Sequence, residues 1–373
     1  MGTSLWFAGN AILPQLDQRL SLGEDAVGYM TSSVQLGFIL GTLLFAFLTL
    51  SDRYSPRVVF FLCSLAGAAS NTGIWFYSES FPLILSFRFL TGFFLAGIYP
   101  VGMKIASGWY DHSLGKAIGF LVGALVLGTS LPHFLNSSHQ TFSWESVLLL
   151  VSGVAALGGL LMLMFVPDGP HLSKGTTFSP TALGTIFSSR KFRASAFGYF
   201  GHMWELYAFW AFVPVTLKFA GAADAGFNIS FWSFWIIAAG SVGCIVGGLV
   251  SQKTGSAKVA AIQLTASGIC CLVSPIAYFL PFQLYVSFLV FWGIVVVGDS
   301  PQFSTLNAQN APKKLVGSAL TIVNSIGFAI TIVSIQMLAS LAPVIPPNCL
   351  LFPLAIGPLL GVITMKPLLE KPR

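Results

Sequence analysis

The sequence predicts an all-α integral membrane protein: twelve transmembrane helices arranged as two six-helix, pseudo-symmetric bundles. Three observations lead there. Only 8% of the 373 residues are charged and 55% are hydrophobic, whereas a soluble domain carries about 25% charged residues. Apolar runs of the length needed to cross a bilayer, about 20 residues for about 30 Å, recur along the whole chain. Glycine, proline and charged landmarks of the first half return about 200 residues later in the second.

The predicted spans are 2–16, 26–50, 57–77, 81–106, 115–133 and 146–166, then 193–217, 229–250, 256–280, 283–306, 315–340 and 345–366. From Met1 to Leu16 a helix rises only about 24 Å. The seventh span carries about nine more residues before its matching proline, so the expectation is a first helix truncated at its N-terminus. Residues 167–192 change character, with Pro, Gly, Ser and Thr entering and basic residues clustering at their end. They read as a cytoplasmic linker between an N-terminal bundle, 1–166, and a C-terminal bundle, 193–373. Ser179-Pro180 has the N-cap and first-turn chemistry of a short surface helix.

Charge fixes an expected orientation. Fifteen of the 18 Lys and Arg fall on one side of this topology; only Arg19 and Lys218 fall on the other, and Arg88 stays within the membrane. The positive-inside rule then puts both termini in the cytoplasm, in a multi-pass plasma membrane such as a bacterial inner membrane. The net charge of +6 is scattered over short loops, which argues against nucleic acid as a partner. Cys63, Cys244, Cys270, Cys271 and Cys349 lack metal-ligand spacing; they read as small core residues without a disulfide framework. No cofactor or metal is expected, and no Gly-x4-Gly-Lys-Ser/Thr loop is present to bind ATP.

The repeat is specific. Ser51-Asp52-Arg53 faces Ser251-Gln252-Lys253, and Gly92, Gly97 and Pro100 match Gly293, Gly298 and Pro301. Leu114–Ala117 matches Val316–Ala319, and Pro14 matches Pro214. Gly37/Gly41 and Gly243/Gly247 are small-residue pairs that let helices approach closely. Internal duplication on this scale is a hallmark of secondary transporters, whose substrates bind between the repeats near mid-membrane.

Ionisable residues inside apolar spans are costly, about 2.5–3.5 kcal/mol each on insertion scales, and so mark wet cavities or partners. Glu205 and His202, three residues apart, share one face of the seventh span, among Tyr199, Trp204, Tyr207 and Trp210. Glu205 is the expected proton carrier, with His202 relaying its proton or hydrogen-bonding it. Arg88 lies about 12 Å inside its helix, on a face continuing through Gly92, Leu95 and Tyr99. It can hold an anionic substrate bidentately or bond backbone carbonyls between helices. Asp299 precedes Ser300-Pro301 and shares a stripe with Trp292 and Gln302. The proline there frees backbone carbonyls in mid-helix.

The loop Leu48-Thr-Leu-Ser-Asp52-Arg53-Tyr-Ser-Pro-Arg57, with Arg88-x-x-x-Gly92 in the fourth span, resembles the signatures of the major facilitator superfamily. Leu48 and Ser55 replace two of the family's loop glycines, and Pro56 stands where a base is common. The resemblance implies that helices one, four, seven and ten surround a central cavity. Glu205, His202, Arg88 and Asp299 would form one electrostatic cluster there, joined by Tyr207, Trp210, Tyr99, Gln302, and Trp6 and Asn10 from helix one. Gln35 of helix two would add a polar group. Asp52, Arg53 and Arg57 would form a cytoplasmic gate. The fifth span, Gly119-x3-Gly123-x4-Gly128-x3-Pro132, lacks the antiporter motif of drug exporters in the superfamily. The expected protein is a monomeric secondary transporter in the lipid bilayer, moving a small organic solute such as a carboxylate by proton symport. An uncoupled facilitator, and a non-transporting sensor or assembly factor on the same scaffold, are the alternatives. An enzyme is not expected, since one His–Glu pair supplies neither a nucleophile–base set nor a metal site.

Overall fold

The computed structural model describes residues 1–23, 25–110, 114–138, 142–170, 182–223, 226–312 and 315–370. Every regular element among them is helical. The helices used below are α1 (Ala8–Leu20), α2 (Ala26–Phe47), α3 (Pro56–Phe76), α4 (Phe81–Leu95), α5 (Tyr99–Trp109), α6 (Leu114–Ser137) and α7 (Trp144–Phe165). They continue as α8 (Arg190–Phe219), α9 (Ile229–Ala238), α10 (Gly240–Thr254), α11 (Ser256–Ala277), α12 (Phe282–Gly298), α13 (Ser300–Asn310), α14 (Val316–Leu341) and α15 (Ile356–Thr364).

Ten stretches among the described residues are long and apolar enough to cross a membrane. The other two expected spans are helical but differ in kind. α1 has 13 residues and follows a single 3-10 turn, Gly2–Leu5. α8 has 30 residues, and His202, Glu205 and its tyrosines and tryptophans dilute its apolar character. Ala182–Ile186 forms a short helix in the stretch read as a linker; Ser179 and Pro180 lie outside the described residues. Outward faces are apolar, as with Leu36, Leu40 and Leu44 on α2 and Ile262, Ile269 and Ile276 on α11. Continuous exposed stripes of this kind suit hydrocarbon and not water.

Two spans break in the same way. α4 gives way to α5 through Ala96–Ile98, and α12 to α13 at Asp299, with Pro100 and Pro301 in the first turn of the second piece. Proline has no N–H to donate to the preceding turn, so each break follows from the sequence. Tyr99 and Ser300, immediately before the prolines, thereby reach equivalent positions in the two halves of the chain.

The helix crossings recur too. A Cβ on Gly92 would run into the Val34 carbonyl oxygen, and one on Gly41 into that of Phe93. In the second half, Gly293 meets the Ile236 carbonyl and Gly243 that of Ile294, every partner shifted by 201 or 202 residues. Only glycine permits such backbone contact. Gly92→Ala is therefore expected to cost about 1–3 kcal/mol through overpacking, read as a lower unfolding temperature in detergent. Gly153→Ala, where a Cβ meets open space, serves as the neutral control; equal behaviour of the two would refute a tight crossing.

The two halves of the chain meet along two seams. α2 packs along α14, and α6 along α9 and α10. In the second seam a Cβ at Gly119 would lie 2.9 Å from the Cys244 carbonyl oxygen, and one at Gly248 3.3 Å from that of Gly115. Bare backbone faces backbone at these glycines, while farther along the same seam the rings of Phe134 and Phe234 lie 5.0 Å apart.

Candidate functional site

α8 is the organising element. Its N-cap, Ser189, accepts a hydrogen bond from the Phe192 amide at 3.3 Å, and the helix then runs buried on nearly all sides from Phe192 to Leu217. His202 and Glu205 project from it into the second half of the chain. The Glu205 carboxylate is buried and takes three donors: Trp292 Nε1 on α12 at 2.6 Å, Ser267 Oγ at 2.8 Å and Cys271 Sγ at 3.4 Å, the last two on α11. Both of its oxygens are thus occupied by side chains of its own half.

One turn earlier, His202 Nδ1 lies 2.8 Å from Asp299 Oδ1, both groups fully buried. This is an ion-pair distance, though the atoms are not aligned as a hydrogen bond. Among the described residues, His202 Nε2, Asp299 Oδ2 and both amide atoms of Gln302 find no hydrogen-bond partner. The imidazole lies against the rings of Tyr199 and Phe303, at 6.0 and 5.9 Å, and those two rings are 6.5 Å from each other. Asp299 occupies the break between α12 and α13, so the pair ties α8 to the point where that span bends.

Arg88 goes elsewhere. Its Nη1 donates to the Leu5 carbonyl at 2.9 Å and its Nη2 to that of Trp6. Those carbonyls are free because the chain switches from the 3-10 turn to α1 at Trp6–Phe7. The guanidinium lies fully buried beside Gly9, where a Cβ would come within 2.9 Å of Arg88 Cδ and Nε. Among the described residues no carboxylate is within ion-pair distance of it. The sequence expectation of one cluster of a base, two acids and a histidine therefore separates into three places: Glu205 in its donor nest, His202 with Asp299, and Arg88 on helix-one carbonyls. Of the two roles open to Arg88, the observed contacts are the carbonyl bonds, and the reason for expecting a carboxylate substrate goes with the other.

Trp6, Tyr207 and Trp210 do meet. Trp6 packs on Phe38, Tyr207 and Phe328 with ring centres 4.8, 5.5 and 5.5 Å apart, and Tyr207 lies 5.3 Å from Trp210. Trp6 Nε1 donates to Gln35 Oε1 at 3.2 Å, and Asn10 Nδ2 to Thr31 Oγ1 at 2.6 Å; these polar groups tie α1 and the turn before it to α2. Beside the aromatic cluster, Tyr99, Tyr199, Met203, Tyr207, Trp210, Ser300 and Phe328, with Val122, Leu125, Leu206 and Val297, enclose a cavity of about 20 Å³. It lies between the halves and has room for about one water. A larger cavity of about 740 Å³, bordered by Tyr110, Lys116, Phe120 and Gln252, lies toward the basic end.

At the opposite end, polar side chains bridge the halves. Gln336 Nε2 donates to Ser32 Oγ at 2.8 Å, Asn136 Nδ2 to Ser230 Oγ at 3.1 Å, and Asn228 Nδ2 to the Ser137 carbonyl at 2.7 Å.

On the basic side, Asp52 pairs with Lys104 at 2.5 Å, and the same ammonium donates to the Ser51 carbonyl at 2.7 Å. Arg53 Nε instead donates to Thr49 Oγ1 at 3.1 Å, and Arg57 Nε has no hydrogen-bond partner among the described residues. Sequence reasoning missed Lys104: it lies on α5, and nothing in the spacing connects it to the loop. It also missed Ser267, Phe328 and the role of Cys271, which reads as a small core residue. Among the described residues no group of histidine, cysteine and acidic side chains could hold a metal ion.

A family profile described as Major Facilitator Superfamily matches residues 1–335. The chain is also 26% identical over 257 residues to proteins named "Uncharacterized MFS-type transporter YcaD" from Salmonella arizonae and Salmonella enteritidis. A third, from Salmonella dublin, is 26% identical over 261 residues. Each match takes in 68% of this chain and 65% of the relative, so the chain spans about two thirds of the length of those proteins. With every regular element among the described residues helical, ten stretches there fit to cross a membrane, and the family profile running through most of the sequence, the chain belongs to the Major Facilitator Superfamily.

Proposed function

We propose that the chain is a proton-coupled secondary transporter that moves a small organic solute by alternating access, the two halves rocking about the aromatic cavity between them. On this reading it has twelve spans in two pseudo-symmetric bundles, 1–166 and 193–373, joined by 167–192. It works as a monomer, with its basic face and both termini in the cytoplasm. The recurring glycine crossings, the paired proline breaks and the two seams of α2 with α14 and α6 with α9 and α10 support that arrangement.

The observation that carries the coupling is the His202–Asp299 pair at the bend between α12 and α13. It is an acid and an imidazole in contact without a fixed cation, each with a further polar atom unpartnered. One proton more or less there changes whether the two helices attract, and Ser300, next to Asp299, lines the cavity. Glu205, first choice from the sequence, has both oxygens occupied by donors of α11 and α12; it reads better as the residue that positions α8. Reconstituted protein, screened for solute accumulation under an imposed pH gradient, tests the reading. Protein-dependent accumulation that collapses with the gradient supports it. Exchange that ignores the gradient would leave a facilitator, and no exchange of any solute would leave a non-transporting membrane protein.

The Asp52–Lys104 contact supports a gating role for the loop after α2. Asp52→Asn is expected to slow transport several-fold while leaving the half-saturating substrate concentration nearly unchanged, because the pair is remote from the aromatic cavity. A large loss of apparent affinity with an unchanged maximal rate would place Asp52 in binding instead.

A further inference from the structure

The second piece of the broken span, α13, is polar for a helix at membrane depth: seven of its 11 residues are Ser, Thr, Asn or Gln. Part of that polarity is aligned. With 3.6 residues per turn, Asp299, Gln302, Thr305 and Gln309 fall within about 120° of one another around the helix. Their burial is graded along the stripe. Asp299 and Gln302 are fully buried, Thr305 is 9% exposed and Gln309 is exposed. The stripe thus runs from the His202–Asp299 pair to the surface at the basic end.

Both amide atoms of Gln302 lack a hydrogen-bond partner among the described residues, as do His202 Nε2 and Asp299 Oδ2 beside it. Bare buried polar groups are costly, and proteins ordinarily satisfy them with internal water where it can enter. The lower end of the stripe offers an entry. A Cβ on Gly115 of α6 would lie 3.9 Å from both Thr305 Oγ1 and Ser251 Oγ, so the glycine leaves slack there. Lys116 and Gln252, the next residues on α6 and α10, border the cavity of about 740 Å³. The Thr305 hydroxyl donates to the Pro301 carbonyl at 2.9 Å and keeps its lone pairs for another donor. The aromatic cavity lies on the other side. Ser300, which lines it, is about 160° around α13 from Gln302.

We infer that a hydrated lane along the Gln302, Thr305 and Gln309 face of α13 carries protons between the His202–Asp299 pair and the basic side, apart from the aromatic cavity that takes the solute. Gln302 and Thr305 are its positioning residues, holding water in file without ionising. Each transfer breaks one N–H or O–H bond at the pair and makes one on the first water, while the last water releases a proton into the larger cavity. This rests on the proton-coupled reading above and adds the route.

Gln302→Leu, which keeps the size and removes the amide, is the main test. In proteoliposomes the initial rate of gradient-driven accumulation should fall at least tenfold. Solute exchange at equal pH should fall less than threefold, with no drop in unfolding temperature. Thr305→Val should slow accumulation at least threefold, whereas Gln302→Asn and Thr305→Ser should retain more than half the rate. Ser304→Ala, on the opposite face, should leave it unchanged. A merely structural role would move exchange and stability together with accumulation. Accumulation untouched by both Gln302→Leu and Thr305→Val, or exchange lost in parallel with it, overturns the inference. Should those variants fail to fold, hydroxyl-radical labelling of the unaltered protein decides, because radicals made from internal water oxidise the side chains beside it. Cys244 is buried, with its thiol donating to the Val297 carbonyl two residues before Asp299. It should be oxidised at least fivefold faster than Cys63, which is also buried; equal rates overturn the lane. Loss of accumulation in Asp299→Asn but in neither lane variant removes the lane and leaves the coupling pair. No gradient-driven accumulation of any solute by the unaltered protein removes the coupled transporter, and the Cys244 labelling then decides the lane.

Discussion

Asp299→Asn is expected to abolish accumulation driven by a pH gradient, a loss of at least tenfold, while exchange of labelled for unlabelled solute continues within a few-fold of the unaltered protein. The asparagine side chain has nearly the same size and still offers Oδ1 to the His202 ring, so the bend between α12 and α13 should survive. What it cannot do is gain and lose a proton, and coupling needs that while simple exchange does not. His202→Gln should behave similarly, since it leaves the acid without the imidazole 2.8 Å away. Glu205→Gln forms the contrast. The amide oxygen can still accept from Trp292 and Cys271, and the Ser267 hydroxyl can rotate to accept from the amide nitrogen, so gradient-driven accumulation should persist. The measurement is accumulation and exchange in the same proteoliposome preparation for all three variants. If Glu205→Gln lost accumulation and Asp299→Asn kept it, the proton site would belong to the first choice from the sequence and not to this pair.

That contrast also marks how far the sequence could be read. Apolar length and the paired glycines and prolines are local properties. The ten strongly apolar spans, the mid-helix disruption at Pro301 and the close crossings at Gly41 and Gly243 were accordingly visible before any coordinates. The spacing of His202 and Glu205 showed that they share a face of one helix. It could not show which way that face turns in the bundle, because helical periodicity fixes angles about a helix axis and not the rotation of that axis among its neighbours. Glu205 therefore turned out to be held by Ser267 and Cys271, residues without any polar pattern of their own. Lys104 escaped for a related reason, being paired with Asp52 across 52 residues of chain. Charge and depth left Arg88 open to an anion or to backbone carbonyls between helices, and could not choose between them. The chain's local break at Trp6–Phe7, which offers it two bare carbonyls, leaves no mark in composition.

Arg88 supplies a test in which the ordinary ranking of substitutions should invert. If it bound an anionic substrate, lysine would be the mild replacement, since the charge remains, and methionine the severe one. The contacts predict the reverse for stability. Lysine keeps a buried charge but cannot present the planar fork that reaches the Leu5 and Trp6 carbonyls together, and an ammonium is more strongly hydrated than a guanidinium. One carbonyl is left bare, at about 1–3 kcal/mol, and the charge is less well compensated than before. Methionine also gives up the carbonyl bonds, but it removes the burial cost of a charge, several kcal/mol, which offsets much of the loss. Arg88→Lys should therefore lower the unfolding temperature more than Arg88→Met. Both should impair transport, because helix one would lose the bond that fixes Trp6 against Tyr207 and Phe328. Trp6 is one of nine tryptophans, so its displacement is best followed as the difference in fluorescence between matched Arg88 variants with and without Trp6→Phe. Retained stability and transport in Arg88→Lys, with transport lost at unchanged stability in Arg88→Met, would return Arg88 to the substrate.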